Sequence, residues 1–201
     1  KTGIKISRLP TRTKKTYHYP TASESMHPLI QEAIRITEDI GDVIFVGAVG
    51  IFLQTKATKE SQDLDFAVAK ELRAELLDER GYFVRKTKGK EARYTPRGYK
   101  IDIYTRDVSG IPIDKIIDTA KDIEVRKGVT LKAASIEVLA VSKFRAAAKR
   151  RGTDDVDIRT IVQRKYKHID WNVLKSLTEG EIEFKRIKDQ MDVLHRMQLR
   201  F

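Results

Sequence analysis

Three acidic residues embedded in apolar strand patterns constrain this chain more than any other feature. Ser61-Gln62-Asp63-Leu64-Asp65-Phe66 sets two acids two residues apart, and Ile101-Asp102-Ile103 sets a third between two isoleucines. In a strand, residues two apart leave the same face, about 6–7 Å from each other. Asp63 and Asp65 therefore share a face while Leu64 and Phe66 anchor the opposite one. Asp102 likewise leaves the apolar face of its strand. If the two strands are neighbours, three carboxylates converge, and such a cluster repels itself without cations. Two Mg²⁺ ions about 3.5–4 Å apart would relieve the repulsion and clamp the oxygens of an in-line displacement. Mg²⁺ prefers oxygen ligands; Mn²⁺ could replace it. The alternative is three exposed acids paired with Lys or Arg, since Asp-x-Asp alone is a short motif.

Upstream, Val43-Ile44-Phe45-Val46 runs into Gly47-Ala48-Val49-Gly50. A strand entering a helix through glycine lets backbone N–H groups approach a phosphate at Gly47 and Ala48. Gly50 keeps the next turn slim. Ser61 could donate its hydroxyl to a phosphate oxygen, and Lys59 could add charge. A tight turn with no ligand explains the glycines equally well.

The remaining pattern is α+β. Helical spacing covers Pro28–Ile40, closed by Gly41-Asp42, and a short helix is expected over Ala48–Lys56. Alternation makes Asp63–Val68 a strand. A helix over Lys70–Arg80 is closed by Gly81. Tyr82–Thr87, Glu91–Thr95 and Tyr99–Thr105 read as strands, with turns at Lys88-Gly89-Lys90 and Pro96-Arg97-Gly98. A short pair is expected around Ile123–Val125 and Val129–Leu131. From Ser135 everything is helical: Ser135–Arg151, Thr153–Tyr166, Trp171–Leu177 and Glu179–Leu199. The division is a basic arm over 1–20, a sheet-plus-helix domain over 21–132 and a helical domain over 133–201.

In Ser135–Arg151, Ile136, Leu139, Ala140, Lys143, Ala147 and Arg150 share one face, so Lys143 lies on an otherwise apolar side. A charge there needs a partner: an anionic ligand, a carboxylate, or water reached by snorkelling. Arg145, Lys149, Arg150 and Arg151 could meet nucleic-acid phosphates, or form a solvated helix end that suits the dipole. Thr153 with Asp154 and Asp155 reads as a capped helix start. Glu179–Leu199 is amphipathic through Ile182, Ile187, Met191, Leu194 and Met197. It either packs on its own domain or offers a partner contact. His18, His27, His168 and His195 lack ligand spacing.

The net charge of +11 favours a polyanionic partner, with RNA first, although a charge-rich surface is also a thermophile trait. No apolar run reaches the ~18 residues that span a bilayer, and no secretory signal is visible. The 201 residues contain no Cys, which excludes disulfides, thiol nucleophiles and Cys-based zinc sites and fits a cytoplasmic protein.

Taken together, Gly47-Ala48-x-Gly50, Lys59-x-Ser61-x-Asp63-x-Asp65 and Asp102 resemble the nucleotidyltransferase superfamily of the DNA polymerase β type. More narrowly they are similar to its AbiEii-like branch, which includes toxins of toxin–antitoxin pairs. The likeness spans residues 43–160. It takes in Lys143 and the acid-rich turn Arg150-Arg151-Gly152-Thr153-Asp154-Asp155-Val156-Asp157. The resemblance implies a mixed sheet that carries the metals, flanked by helices, with a helical domain closing the nucleotide cleft. It implies transfer of a nucleoside monophosphate from NTP to an acceptor hydroxyl, with release of pyrophosphate. Asp63, Asp65 and Asp102 would hold metal, and Asp102 would assist deprotonation. Gly47, Ala48, Ser61 and Lys143 would hold the nucleotide, with Asp155 behind them. An antitoxin-like protein partner also follows. The expected acceptor is RNA, such as a tRNA end; a small-molecule or protein hydroxyl is the alternative. The competing function is a non-catalytic RNA- or partner-binding module on the same fold.

Overall fold

The structure is a computed structural model and describes residues 27–57, 61, 63–87, 89–149 and 153–198. The expected arm over 1–20 lies outside them. Helix α1 (Pro28–Ile40) opens on a proline, whose missing N–H is no loss in a first turn. His27 Nδ1 accepts the Leu29 N–H at 3.3 Å. The helix ends at Gly41, where φ is +95°, a value that favours glycine. Strand β1 (Val43–Phe45) is buried on both faces and leads directly into α2 (Gly47–Thr55). Then come β2 (Asp63–Val68), α3 (Ala74–Glu79), β3 (Phe83–Thr87), β4 (Lys90–Tyr94) and β5 (Lys100–Tyr104). A small hairpin, β6 (Asp107–Val108) and β7 (Ile111–Pro112), precedes α4 (Ile113–Thr119). Strands β8 (Lys121–Arg126) and β9 (Val129–Ala133) complete the sheet.

The seven-stranded sheet has the order β3-β4-β5-β2-β1-β9-β8. Strands β2 and β5 run parallel as central neighbours, and β1 runs antiparallel to β2 and parallel to β9. One face is covered by α1, with Leu29, Ile36, Phe45, Leu64, Phe66, Leu77 and Ile101 in a shared core. The helical segment α5 (Ile136–Lys149), α6 (Thr153–Lys165), α7 (Trp171–Leu177) and α8 (Glu181–Gln198) follows the last strand. It shares a second core with the sheet through Ile44, Ala67, Ile111, Leu139, Val141, Ile161 and Ile187. This is the expected α+β arrangement, a mixed sheet flanked by helices with helices C-terminal to it.

Two local differences stand out, and one open alternative is decided. Helix α3 starts at Ala74 rather than Lys70, and Lys70–Arg73 is irregular. Hairpin β6–β7 and α4 were not expected. Two-residue strands carry too little alternation to read, yet Val108, Ile111, Ile113 and Ile116 are all buried. Helix α8 packs on its own chain through fully buried Ile187 and Met191, and leaves Ile182 and Met197 exposed.

Candidate active site

Strand register builds the site. Asp63 lies opposite Lys100, and Asp65 lies opposite Asp102. Parallel neighbours and two-residue steps thus put all three acids and Lys100 on one face. They line a cleft of about 300 Å³ together with Val46, Gly47, Ala48, Ser61, Tyr104, Lys143, Asp154 and Asp157. Gly47, Ala48, Ser61, Asp63, Asp65, Asp102 and Lys143 are therefore brought together as the sequence implied.

Gly47 is required by geometry. Its φ is +55°, and a Cβ there would sit 2.1 Å from Asp65 Oδ2. The α2 N-terminus has no side-chain cap. Its first N–H groups lack partners within the helix and meet the cleft at Gly47 and Ala48, with the positive end of the dipole. Gly50 is held slim by its packing. Its missing Cβ would lie 2.7 Å from the Phe45 carbonyl oxygen and 3.1 Å from Leu139, so it seats α2 against β1 and α5. Ser61 Oγ accepts the Asp63 N–H at 3.3 Å, which braces the entry to β2.

Electrostatics follow from this crowding. Burial raises the Asp65 pKa from 3.8 to about 6; Asp102 and Asp63 push the same way, and Lys143 and Lys100 oppose them. Lys100 Nζ lies 2.6 Å from Asp102 Oδ2 and 4.0 Å from Asp63 Oδ2. Desolvation works against its charge, but the Asp102 hydrogen bond and the nearby acids win, and its pKa is raised. Lys143, on α5, reaches Asp157 Oδ2 at 2.7 Å and Asp154 Oδ1 at 3.1 Å. Its desolvation is likewise outweighed by Asp157 and Asp154, so it stays charged. Tyr104 Oη donates a long hydrogen bond to Asp65 Oδ1 at 3.5 Å.

Several expectations are corrected. Arg145 cannot serve nucleic acid. It is 8% exposed, and it donates to Glu183 Oε1 and Oε2 at 2.9 and 2.8 Å and to the Ser109 and Leu177 carbonyl oxygens. Asp155 faces away from the cleft, into a separate groove between α5, α6 and α8; Asp154 and Asp157 take the place expected of it. Lys149 is exposed. Lys59, Arg150 and Arg151 lie outside the described residues, as does the Thr153 side chain. Sequence reading missed Lys100, Tyr104, Asp154 and Asp157. The first two were readable as the same-face neighbours of Asp102, and Asp154 and Asp157 share a helix face at i, i+3.

Among the described residues no three His, Asp or Glu side chains converge closely enough to hold a metal ion. Asp102 is instead taken up by Lys100. The donors nonetheless suit a hard cation: they are all carboxylate oxygens, burial and then the neighbouring Asp102 and Asp63 raise Asp65, and an ammonium already reaches two of them.

No family model matches the chain, and no curated protein matches it. Solved structures do. One is ANT(2'')-Ia in complex with adenylyl-2''-tobramycin, at 14% identity, covering 81% of this chain and 96% of that one, with a TM-score of 0.53. JHP933 from Helicobacter pylori matches at 15% identity over 87% and 92%, with a TM-score of 0.50. An antigenic nucleotidyltransferase-like protein from Paracoccidioides brasiliensis matches at 15% identity over 67% and 74%, with a TM-score of 0.50. The fold is a nucleotidyltransferase fold. In that fold the acid-bearing strands β2 and β5, the α2 N-terminus and the helix carrying Lys143 surround one cleft. No helix among the described residues is long and apolar enough to cross a membrane.

Proposed function

We propose that this chain is a Mg²⁺-dependent nucleotidyltransferase that moves a nucleoside monophosphate from NTP to a hydroxyl of RNA. The carrying observation is that Asp63, Asp65 and Asp102 share one sheet face and line the same cleft as Lys143 and the uncapped α2 N-terminus. Acids and candidate phosphate-binding groups thus meet in one cleft, with Gly47 directly against Asp65. Bound Mg²⁺ would be held by Asp63, Asp65 and Asp102 and would supply charge neutralisation at the phosphates. The Gly47 and Ala48 N–H groups and Lys143 bind the triphosphate oxygens. Asp157 and Asp154 keep Lys143 charged and aimed until the nucleotide arrives. The acceptor oxygen attacks the α-phosphorus, the bond to the bridging oxygen breaks, and pyrophosphate leaves. Asp102, once exchanged from Lys100, takes the hydroxyl proton.

The basic-x-Ser-x-Asp-x-Asp strand and the acid-rich turn after Lys143 support placement in the AbiEii-like branch. A cytoplasmic site of action and an antitoxin-like protein partner belong to that reading. The +11 charge supports RNA over a cationic small molecule. One observation favours a non-catalytic binding module: Lys100 and Lys143 are already satisfied by carboxylates.

The test incubates the protein and its Asp63→Ala/Asp65→Ala variant with Mg²⁺, each labelled NTP and total RNA. Label in RNA from wild type alone is the expected outcome. No label in RNA, protein or small molecules, together with no NTP binding by calorimetry, overturns the enzyme.

A further inference from the structure

The face that carries the acids does not stop at β5. Tyr94 of β4 lies opposite Lys100, and Phe83 of β3 lies opposite Tyr94. Directly opposed residues share a face. Phe83, Arg85, Lys90, Tyr94 and Lys100 therefore continue the acid-bearing face to the sheet edge. The Phe83 and Tyr94 rings stack, with centroids 5.6 Å apart and planes 13° apart. The Arg85 guanidinium lies over both, 4.9 Å from the Phe83 centroid and 5.3 Å from that of Tyr94. Arg85 and Lys90 are exposed, and both rings are only half-buried. Charge is concentrated here too. Residues 83–100 hold seven Lys or Arg against one Glu, more than half of the chain's net +11. The opposite face of the hairpin spends its charges locally, with Lys86 on Glu91 and Arg93 on Asp78.

The geometry points to this β3–β4 platform as the binding surface for the acceptor, a single-stranded RNA segment whose unpaired bases stack on the Phe83–Tyr94–Arg85 group while its 3′ end reaches the carboxylates. The inference rests on the nucleotidyltransferase reading and deepens it. Two features carry it. First, stacked rings with a planar cation form the surface that holds unstacked bases without reading sequence. Second, the platform lies two strand spacings from β5, on the order of 10 Å. A base stacked there thus leaves its terminal ribose close to Asp102. A duplex hides its base planes and does not fit.

The experiment is fluorescence anisotropy with the full chain, a 3′-labelled 12-nucleotide single strand and the matching RNA duplex, without NTP. Three proteins are compared: wild type, Phe83→Leu/Tyr94→Leu, which keeps apolar bulk on the strands, and the exposed-residue change Arg85→Ser. Melting curves check folding. We expect each variant to bind the single strand about tenfold more weakly, in line with the loss of one stacked base, and wild type to bind the duplex more weakly than the single strand. Unchanged single-strand affinity in folded Arg85→Ser overturns the platform, as does equal affinity of wild type for duplex. A thermal shift with Mg²⁺ and NTP is read separately on wild type. If that shift is absent while the platform effect holds, the enzyme reading fails and the RNA surface stands.

Discussion

Asp65→Asn should stabilise the metal-free protein while removing its response to metal. Asp65 is the most enclosed of the three acids, pressed against Gly47 and flanked by Asp63 and Asp102. Its pKa of about 6, against an ordinary 3.8, means that the folded state holds this proton more tightly than the unfolded state. Relative to an unperturbed carboxylate, its contribution to stability is complete below pH 3.8 and is lost as pH rises to about 6. Across that window the protein loses roughly 3 kcal/mol in all, from about 1.4 kcal/mol per pKa unit. Asparagine has nearly the same shape and never ionises. At pH 7.5 without divalent cations the variant should gain about 1–3 kcal/mol, which for a chain of this size is roughly 2–10 °C in Tm. At pH 4 the two proteins should melt together. Added Mg²⁺ should raise the wild-type Tm at pH 7.5 and leave the variant nearly unmoved. The assay is a series of melts from pH 4 to pH 8.5, each with and without Mg²⁺. An Asp65→Asn protein less stable than wild type at pH 7.5, or one with the wild-type pH slope, would refute the reasoning.

Three further outcomes are expected. Lys100→Met removes the ammonium from Asp102 and Asp63; an ion pair this accessible is worth under about 1 kcal/mol, so the Mg²⁺ half-point in a thermal-shift titration should fall about two- to fivefold. Gly47→Ala drives a methyl into Asp65; strain of about 1–3 kcal/mol and loss of label transfer should follow, while Ala48→Gly keeps turnover. Arg145→Met strands Glu183, whose carboxyl Arg145 holds below its usual range. Urea melts should show a loss of about 3–5 kcal/mol, with the NTP-induced shift retained in the folded fraction.

Much of the fold was legible because its elements carry strong periodic signals. Alternation in Asp63–Val68 and the helical stripe of Pro28–Ile40 both follow from burial of one face, and burial is written residue by residue. The hairpin at 107–112 was not legible. Its turn depends on Ser109 and Gly110 adopting positive φ, and its two-residue strands are fixed by packing from outside. The site divides in the same way. Asp63, Asp65 and Asp102 were readable because an acid in an apolar strand is locally anomalous. Lys100 and Tyr104 stood on the same strand face as Asp102, but nothing local marks a lysine or tyrosine as unusual there.

Lys143 and Arg145 show where local reading ends. They are two residues apart on α5, about 200° around the helix, and so face opposite surroundings. The sequence marked Lys143 correctly as a charge on an apolar side, and it read Arg145 as one of a basic cluster open to phosphate. Arg145 instead turns towards the β6–β7 turn and α8, 36 and 38 residues away, where Ser109 and Glu183 receive it. Only the packing of α5 against those elements decides this. The partners of Lys143 are nearer, in α6, yet the sequence offered three acids there and favoured Asp155; the way α6 crosses α5 selects Asp154 and Asp157 instead. The same selection explains how a protein of charge +11 keeps three clustered acids folded. Lys100 and Lys143 balance the site from opposite sides, one on β5 and one on α5. The Lys100–Asp102 pair is partly solvated, so a divalent cation can exchange into it at modest cost, whereas the Lys143 pair is set among buried carboxylates and holds its ammonium fixed at the cleft.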